Sequence, residues 1–326
     1  MNSATEIKPT TSLSWRDRLC SVIARGAPPS ERAEGVFFRP VAARNPDRIE
    51  KLVSKWRDTV IADGRQISRS RLAALGISEE TVRAGFADVA LRNPDVLPDW
   101  GDAFLEVIGA GRGESEDITE AAGGSLRHID VPNLDLIAAL LAGPDRFVRS
   151  LAATLTLRVS PASLDQILSV FARRLVQLVS PVLEFEIRLA KANEGLLNKL
   201  GTQSGRSLDS SAAGWLSRIE RFPVLAYLIG ASYLGFRTWI GEICDRLQED
   251  RQMLAEELFG GLPLREWTGF QGDAGDVHGG GRTVAILSFD QNRKVVYKPK
   301  DLRCAEAFLD LVAALNQSEL DPPLHL

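Results

Sequence analysis

The residues best suited to chemistry form a glycine-rich stretch, which reads Gly275-Asp276-Val277-His278-Gly279-Gly280-Gly281-Arg282. Because glycine has no side chain, backbone N–H groups in such a stretch can approach anionic oxygens closely. A strand-like segment further along the chain carries Lys298, which adds a positive charge. The stretch also contains a carboxylate and an imidazole, which can bind metal or move protons. Together these residue types indicate the phosphate-handling end of a nucleotide-using enzyme.

Asp276 and His278 are two positions apart, so an extended backbone would direct both side chains to the same side. Histidine titrates near neutral pH and could act as a general acid or base. The aspartate could orient the imidazole, bind Mg²⁺ or accept a proton. The same pair also fits a plain turn with an aspartate and an exposed histidine. The residues alone leave both interpretations open.

Lys298 stands near the end of the second strand of a predicted hairpin, and the glycine-rich stretch precedes that hairpin. Protein kinases have this order, in which a glycine-rich loop covers the ATP phosphates and a strand lysine contacts them. Pro299 restricts Lys298 to extended conformations. The alternative is an ordinary solvent-facing strand lysine. Arg282 similarly could contact phosphate or begin the first strand with its side chain in solvent.

The elements before residue 260 have the pattern of a helical protein, and we expect this region to be almost wholly helical. Apolar residues recur at every third or fourth position, as on the buried face of a helix. Ser78 is a predicted N-cap, and helices are expected to break or restart at Pro181 and Pro223. The pattern predicts helices over 15–24, 46–63, 69–75, 78–89, 102–108, 133–142, 145–157, 163–200 and 216–259. Aromatic residues of the last segment are expected in the core, namely Phe222, Tyr227, Tyr233, Phe236 and Trp239.

The apolar period shortens after Gly260 and predicts strands. Two runs, 282–289 and 294–300, are joined by Asp290-Gln291-Asn292-Arg293 and predict an antiparallel hairpin. Residues 301–316 return to a helix with Asp301 as its cap. Its inward face is predicted to consist of Leu302, Phe308, Leu309, Val312 and Leu315.

The composition argues against several classes of protein. The net charge of −4 gives no overall attraction to nucleic acid. No apolar run approaches the roughly 20 residues of a membrane-spanning helix, the longest being 224–235, so we expect no transmembrane segment. The polar N-terminus lacks the apolar core of a signal peptide. Three dispersed cysteines predict reduced thiols in a cytoplasmic protein and no metal site, namely Cys20, Cys244 and Cys304.

Several short motifs follow one another in a defined order. They are Pro-Val-Leu-Glu-Phe-Glu at 181–186, Arg-Phe-Pro-Val-Leu at 221–225, Gly-Asp-Val-His-Gly-Gly-Gly-Arg at 275–282, Val-Ala-Ile-Leu-Ser-Phe at 284–289, Val-Val-Tyr-Lys-Pro-Lys-Asp-Leu at 295–302, Phe-Leu-Asp at 308–310 and Leu-Asn at 315–316. In this order they resemble the dehydratase domain of class II (LanM-type) lanthipeptide synthetases. The resemblance is most specific over 265–316, less so over 180–260 and least before 130.

The resemblance implies an enzyme of lanthipeptide (lantibiotic) biosynthesis that uses ATP and Mg²⁺. Such a domain phosphorylates serine and threonine of a precursor peptide and then eliminates the phosphate to leave dehydroamino acids. Asp276, His278 and Lys298 match the family's active-site positions, but the sequence does not divide Asp276 and His278 between the two steps. The contacts expected for ATP come from Lys298, Gly279, Gly280, Gly281 and Arg282.

The resemblance also implies an architecture that is mainly α. Residues 1–125 form an N-terminal helical region, 126–262 the helical region of the dehydratase domain, and 263–326 the start of a kinase-like (lipid-kinase-like) α+β N-lobe with the hairpin. The base and metal ligands of a kinase come from a second lobe, and no such constellation follows Lys298. We therefore expect an N-terminal portion that is inactive alone. Its expected partners are the precursor peptide and the C-terminal dehydratase and cyclase portion.

Two alternatives remain at this stage. One is a non-catalytic helical module that binds peptide as a scaffold. The other is an unrelated nucleotide-binding ATPase, which would require a Walker-type Gly-Lys-Ser/Thr sequence. The chain contains no such sequence.

Overall fold

The computed structural model describes residues 14–43, 45–62, 77–109, 134–199, 209–301 and 303–317. Of the described residues, 69% are in helix and 10% in strand, so this part of the chain is mainly helical. This balance confirms the expected mainly α composition. The helix predicted over 69–75 lies outside the described residues.

The N-terminal part consists of short helices and a small sheet. Its elements are α1 (Trp15–Gly26), α2 (Pro29–Glu34), β1 (Phe38–Pro40), α3 (Pro46–Ala62), α4 (Glu79–Phe86), β2 (Val89–Leu91) and α5 (Asp99–Gly109). The predicted N-cap is confirmed, since the Ser78 hydroxyl accepts a hydrogen bond of 3.0 Å from the N–H of Thr81. β1 and β2 pair antiparallel with Phe38 opposite Leu91. These two strands are exceptions in the expected, almost wholly helical region, and strands of three residues are too short to show an alternating pattern.

Four helices, three of them longer than those before, and a two-residue strand follow among the described residues. They are α6 (Leu134–Ala152), β3 (Arg158–Val159), α7 (Pro161–Lys199), α8 (Ala212–Arg221) and α9 (Val224–Phe259). The restart at Pro223 is confirmed, but the break predicted at Pro181 is wrong because α7 runs through it. An internal proline costs a helix about 3 kcal/mol. Val179 and Leu183 are buried on either side of Pro181, so packing of this face outweighs the local preference.

The core lies around α9, which packs against α5, α6 and α7. Tyr233, Phe236 and Trp239 of α9 are fully buried. The rings of the first two lie 5.6 and 5.0 Å from the ring of Phe171 on α7. These contacts confirm the core assignment for the three residues. Two other aromatic residues of the predicted set are half-buried, Phe222 and Tyr227.

One part of α7, Pro161–Ala192, is long and apolar enough to cross a bilayer by length and composition. This finding differs from the expectation that no apolar run has the required length. Of the most apolar window, 44% is buried inside the protein. Phe171 and Leu175 in this part belong to the core. Core helices pass the same test, so the finding is weak evidence for a membrane span.

A four-stranded sheet joins the helical part to the C-terminal part. Its order is β3, β4 (Glu266–Gln271), β5 (Ala285–Phe289) and β6 (Lys294–Tyr297). β3 pairs parallel to β4, and the other two pairs are antiparallel. The β5–β6 hairpin confirms the predicted one, although both strands are shorter than expected. The sheet crosses the predicted boundary between 262 and 263, and the boundary itself stays a prediction.

The last described helix is α10 (Arg303–Gln317). Asp301 acts near its start as expected, since its carboxylate accepts a hydrogen bond of 3.0 Å from the N–H of Arg303. The predicted inward face is wrong, because only Val312 is buried and α10 makes few contacts with the other described elements. Other members of that face are exposed, namely Phe308, Leu309 and Leu315. Leu302 lies outside the described residues.

Candidate functional site

The β5–β6 hairpin positions Lys298 on the outer side of the sheet. Side chains alternate along β6, where Val295 and Tyr297 are half-buried whereas Lys294 and Val296 are exposed. Lys298 comes directly after Tyr297 and is exposed. It therefore continues the outward-facing series of the strand. A ligand can reach this lysine from solvent.

The glycine-rich stretch lies between β4 and β5 and forms a tight turn. The N–H of His278 donates to the carbonyl of Arg282 at 2.7 Å, and the N–H of Gly281 donates to the carbonyl of His278 at 3.0 Å. Gly280 and Gly281 have φ angles of 74° and 77°, in the left-handed region that favours glycine. A side chain at Gly279 or Gly280 would meet no atom within 4 Å. One side of the turn is therefore open to a ligand.

Arg174 on α7 fixes this turn from the helical part. Its guanidinium donates to the carbonyl of Gly281 at 2.8 Å and to the carboxylate of Asp273 at 2.6 Å. The same group lies 5.0 Å from the ring centre of Trp239 and is largely buried. Charge-assisted hydrogen bonds are among the stronger ones in proteins. Arg174 thus holds the glycine-rich stretch against the core through Gly281 near its end and through Asp273, two residues before it.

Gly235 on α9 gives the turn a second contact. A β-carbon added at Gly235 would lie 2.1 Å from the carbonyl oxygen of Gly280. The helix can therefore approach the turn only because residue 235 is glycine. Neither Gly235 nor Arg174 was predicted from the sequence. For Gly235 a signal existed, since a glycine inside an otherwise apolar helix can indicate a close contact.

Arg282 has a structural contact that the sequence interpretations did not include. Its guanidinium donates to the carboxylate of Glu242 on α9 at 3.2 Å and to the carbonyl of Gly279 at 3.1 Å. Glu242 also pairs with Arg246, one helical turn further along, at 2.8 Å. The side chain of Arg282 is thereby directed to the helical part and closes the turn.

Tyr297 of β6 meets the same carboxylate. Its hydroxyl is buried beside Glu242 without a hydrogen bond of good geometry. Burial and the neighbouring carboxylate raise the pKa of Tyr297 to about 12. Burial alone would raise the pKa of Glu242, but the Tyr297 hydroxyl and the hydrogen bond from Arg282 outweigh it and lower that pKa. Glu242 therefore stays ionised and links the hairpin to the glycine-rich turn.

Asp276 and His278 are exposed on the turn. Within the described ranges, neither side chain makes a hydrogen bond or an ion pair, and the same holds for Lys298. Tyr297 lies opposite Ala285, so Lys298 emerges at the end of the hairpin where the turn enters β5. The structure thus brings the three predicted residues to one end of the sheet without direct contact between them.

A groove of about 760 Å³ separates the turn from the N-terminal helices. The Trp100 indole N–H donates to Glu31 at 2.8 Å, and the Trp100 and Tyr227 rings meet edge to face at 5.2 Å. Burial raises the pKa of Glu31, although the Trp100 hydrogen bond opposes it. Several groups line the groove, namely the carboxylates of Glu31, Glu34 and Asp99, the rings of Phe37, Trp100 and Tyr227, and the turn residues Gly279, Gly280 and Arg282. Three carboxylates against one arginine disfavour an anion in this groove.

Residues 222–326 match the model of a family described as Domain of unknown function (DUF4135). The match covers about a third of the chain and includes α9, the strands β4 to β6 and every predicted site residue. It begins after Arg174 and after the acidic residues of the groove. No curated protein matches the chain.

Proposed function

We propose that this protein acts in lanthipeptide biosynthesis, as part of a dehydratase that modifies a precursor peptide in the cytoplasm. In this reaction ATP donates a phosphoryl group to the hydroxyl oxygen of a serine or threonine. Elimination then removes the phosphate and the α-proton and leaves a carbon–carbon double bond. The motifs over 181–316 support the proposal, and the matched family occurs in lanthipeptide synthetase-like proteins.

The observation that carries the proposal is the order of elements in the sheet. β4 and β5 are antiparallel neighbours joined by the glycine-rich stretch, and β6 follows and leads directly to Lys298. In protein kinases a glycine-rich loop covers the phosphates and the phosphate-binding lysine lies on a nearby strand. We therefore interpret residues 263–326 as the beginning of a kinase-like N-lobe.

The residues of the site suit the phosphates of a nucleotide. Lys298 can contact phosphate because it is exposed on extended backbone, and the backbone of Gly279 and Gly280 is open on one side. ATP would supply the transferred phosphoryl group. The carboxylates of the groove favour a position for the phosphates on the Lys298 side of the turn. Within the described part of the chain no group of three or more His, Cys, Asp or Glu side chains could hold a metal, so we assign no Mg²⁺ ligand.

We assign different roles to the polar residues of the turn. Arg282 holds the turn through Glu242, so we propose a positioning role for it. His278 is exposed and suits proton transfer to or from the peptide. Asp276 is exposed two positions earlier and suits orientation of the imidazole or acceptance of a proton.

A second candidate function is a non-catalytic module that binds peptide. The groove favours it, because aromatic rings and carboxylates beside an open turn suit an extended chain with basic and apolar side chains. The two candidates differ in their dependence on Lys298, since a binding module does not need a lysine against ATP phosphates.

The first test measures ATP affinity of the chain by calorimetry in the presence of Mg²⁺. Lys298→Ala should weaken binding by roughly 10- to 100-fold, because a hydrogen bond to a charged group is worth about 1.5–3 kcal/mol. Lys294→Ala is the matched control, since this exposed lysine precedes Lys298 on the same face of the strand. Both variants should change the free energy of unfolding by less than about 1 kcal/mol. Equal affinities for the two variants would exclude Lys298 from a nucleotide site.

The second test introduces His278→Ala into an active form of the enzyme, one that dehydrates its precursor peptide. The peptide is then analysed by mass spectrometry. If His278 acts only in elimination, the peptide should accumulate with one added phosphoryl group. If His278 acts in phosphorylation, unmodified peptide should remain. A normal yield of dehydrated peptide would remove His278 from the active site and weaken the assignment of the glycine-rich turn.

A further inference from the structure

A second cavity of about 760 Å³ lies between α1, α3, β2 and the connection from α8 to α9, and it does not include the glycine-rich turn. Its charged lining consists of four guanidinium groups and one carboxylate, namely Arg25, Arg32, Arg48, Arg221 and Asp88. The chain as a whole has a net charge of −4. An excess of positive charge in one concave site of an acidic protein indicates an anionic ligand.

Hydrogen bonds fix two of these arginines without neutralising them. Arg25 donates to the backbone carbonyl of Glu220. Arg32 donates to the carbonyl of Ala27 at 2.8 Å and also to the carbonyl of Arg25. A carbonyl oxygen orients a guanidinium but carries no net charge. Both groups are therefore positioned and still cationic, and each has further N–H donors for a ligand.

Arg221 shares its partner with another arginine. Its guanidinium contacts Glu186, which also accepts a hydrogen bond of 2.7 Å from the buried Arg218. One carboxylate thus faces two guanidinium groups, which leaves one positive charge in excess. Arg221 is 54% exposed, whereas Arg218 is 4% exposed, so the excess charge is available on the side of Arg221.

The start of α3 adds to the positive potential. Asn45 caps this helix by accepting a hydrogen bond of 3.2 Å from the N–H of Arg48, and both residues line the cavity. The helix has 17 residues, and the positive end of its dipole favours a negative group. Burial lowers the pKa of Arg32, and the like charge of Arg48 lowers it further. The carboxylate of Asp88 opposes this shift, and all three side chains line the cavity.

The remaining lining is largely apolar and distinguishes this cavity from a simple phosphate site. Ile49, Phe86 and Leu91 contribute aliphatic and aromatic surface, and Pro94 and Pro223 extend it. A ligand that fills the cavity must therefore combine acidic groups with apolar groups. A peptide with Asp or Glu among apolar residues has this combination.

We propose that this cavity binds an acidic segment of a peptide, with the carboxylates against Arg25, Arg32 and Arg48 and apolar side chains against Phe86 and Leu91. The choice of a peptide rests on the proposed function, in which the substrate is a peptide. The cavity and the hairpin are separate sites, so binding here would hold a substrate by a part that is not being modified.

The test measures the affinity of the chain for a short fluorescent peptide rich in Glu and Leu, without ATP. The wild type should bind this peptide and not the counterpart in which Lys replaces Glu, and added salt should weaken the binding. Arg48→Glu should reduce the affinity about tenfold or more, since it reverses one charge of the site. Arg39→Glu is the matched control, because Arg39 is exposed on β1 and does not line the cavity. Arg48→Gln should give a smaller loss of affinity. It replaces Arg48→Glu as the test variant if circular dichroism shows that Arg48→Glu does not fold.

Two further results separate this site from the hairpin and from another ligand. Lys298→Ala should bind the acidic peptide as the wild type does, so a failure of the nucleotide assignment would leave this result intact. Equal affinities for Arg39→Glu and Arg48→Glu would overturn the proposal. The proposal would also be overturned if inorganic phosphate bound in the cavity without displacing the peptide. The peptide would then be bound elsewhere, and the ligand of the cavity would be a phosphate and not a peptide.

Discussion

The contact between Gly235 and Gly280 allows a test of how the helical part fixes the glycine-rich turn. We consider Gly235→Ala, which adds one methyl group to α9. Gly241→Ala is the matched control on the same helix, since a β-carbon at Gly241 would meet no atom within 4 Å. Both variants replace a helical glycine with alanine, so the change in helix propensity is the same.

The expected change in the free energy of unfolding follows from the surroundings of Gly235 and Gly241. In a helix, alanine is more stable than glycine by about 0.5–1 kcal/mol, so Gly241→Ala should raise the free energy of unfolding by this amount. At Gly235 the new methyl group would lie 2.1 Å from the Gly280 oxygen, whereas separations under 3.0 Å are essentially never found. The turn must move, and overpacking of this kind costs about 1–3 kcal/mol. The two variants should therefore differ by about 1–3 kcal/mol.

The assay is urea unfolding followed by tryptophan fluorescence, combined with hydrogen exchange of the amides of residues 275–284. Gly235→Ala should unfold at lower urea than Gly241→Ala, and the amide of Gly281 should exchange faster because its hydrogen bond to His278 is strained. If the two variants unfold at the same urea concentration and exchange alike, the turn is not held by α9 and the close contact does not exist in solution.

Two other perturbations test the ion pair of α7 and the tyrosine of β6. Glu186→Ala should lower the free energy of unfolding by about 3–5 kcal/mol, because it leaves the guanidinium of Arg218 buried without a carboxylate partner. In a urea titration the exposed control Glu184→Ala should cost at most about 0.5 kcal/mol, and similar losses for the two variants would contradict the burial of the Glu186–Arg218 pair. The raised pKa of Tyr297 means that its proton is held more tightly in the folded state, so its contribution to stability is complete below pH 10 and lost as pH rises towards about 12. Tyr297→Phe should therefore lose less stability over this window than the wild type in unfolding measured at a series of pH values, and equal losses would show that the pKa is not raised.

The features that could be predicted from the sequence are those set by neighbouring residues. Helices with a long apolar repeat, the Ser78 cap and the β5–β6 hairpin follow from local patterns, and the structure has them. The exposure of Lys298 also follows, because strand alternation and Pro299 act locally. Pro181 shows the limit of local preference, since burial of its neighbours keeps the helix intact.

The features that could not be predicted depend on residues far apart in the chain. Arg174 reaches the turn from α7, and Glu242 reaches Arg282 from α9. Neither residue has a sequence context that differs from an ordinary charged position on a helix. The exposed face of α10 was misjudged for a related reason, because an apolar stripe predicts burial but does not identify the surface that covers it.

The parallel pairing of Arg158 with Glu266 has a consequence for how the chain folds. The two paired strands are separated by α7, α8 and α9, so the chain must close a long loop before β3 can protect the edge of β4. Until then β4 presents unpaired N–H and C=O groups, which favour association with other chains. The region matched by the family model contains β4 but neither β3 nor Arg174. Expressed without the preceding helices, it would keep that edge open and would lack the arginine that secures its turn.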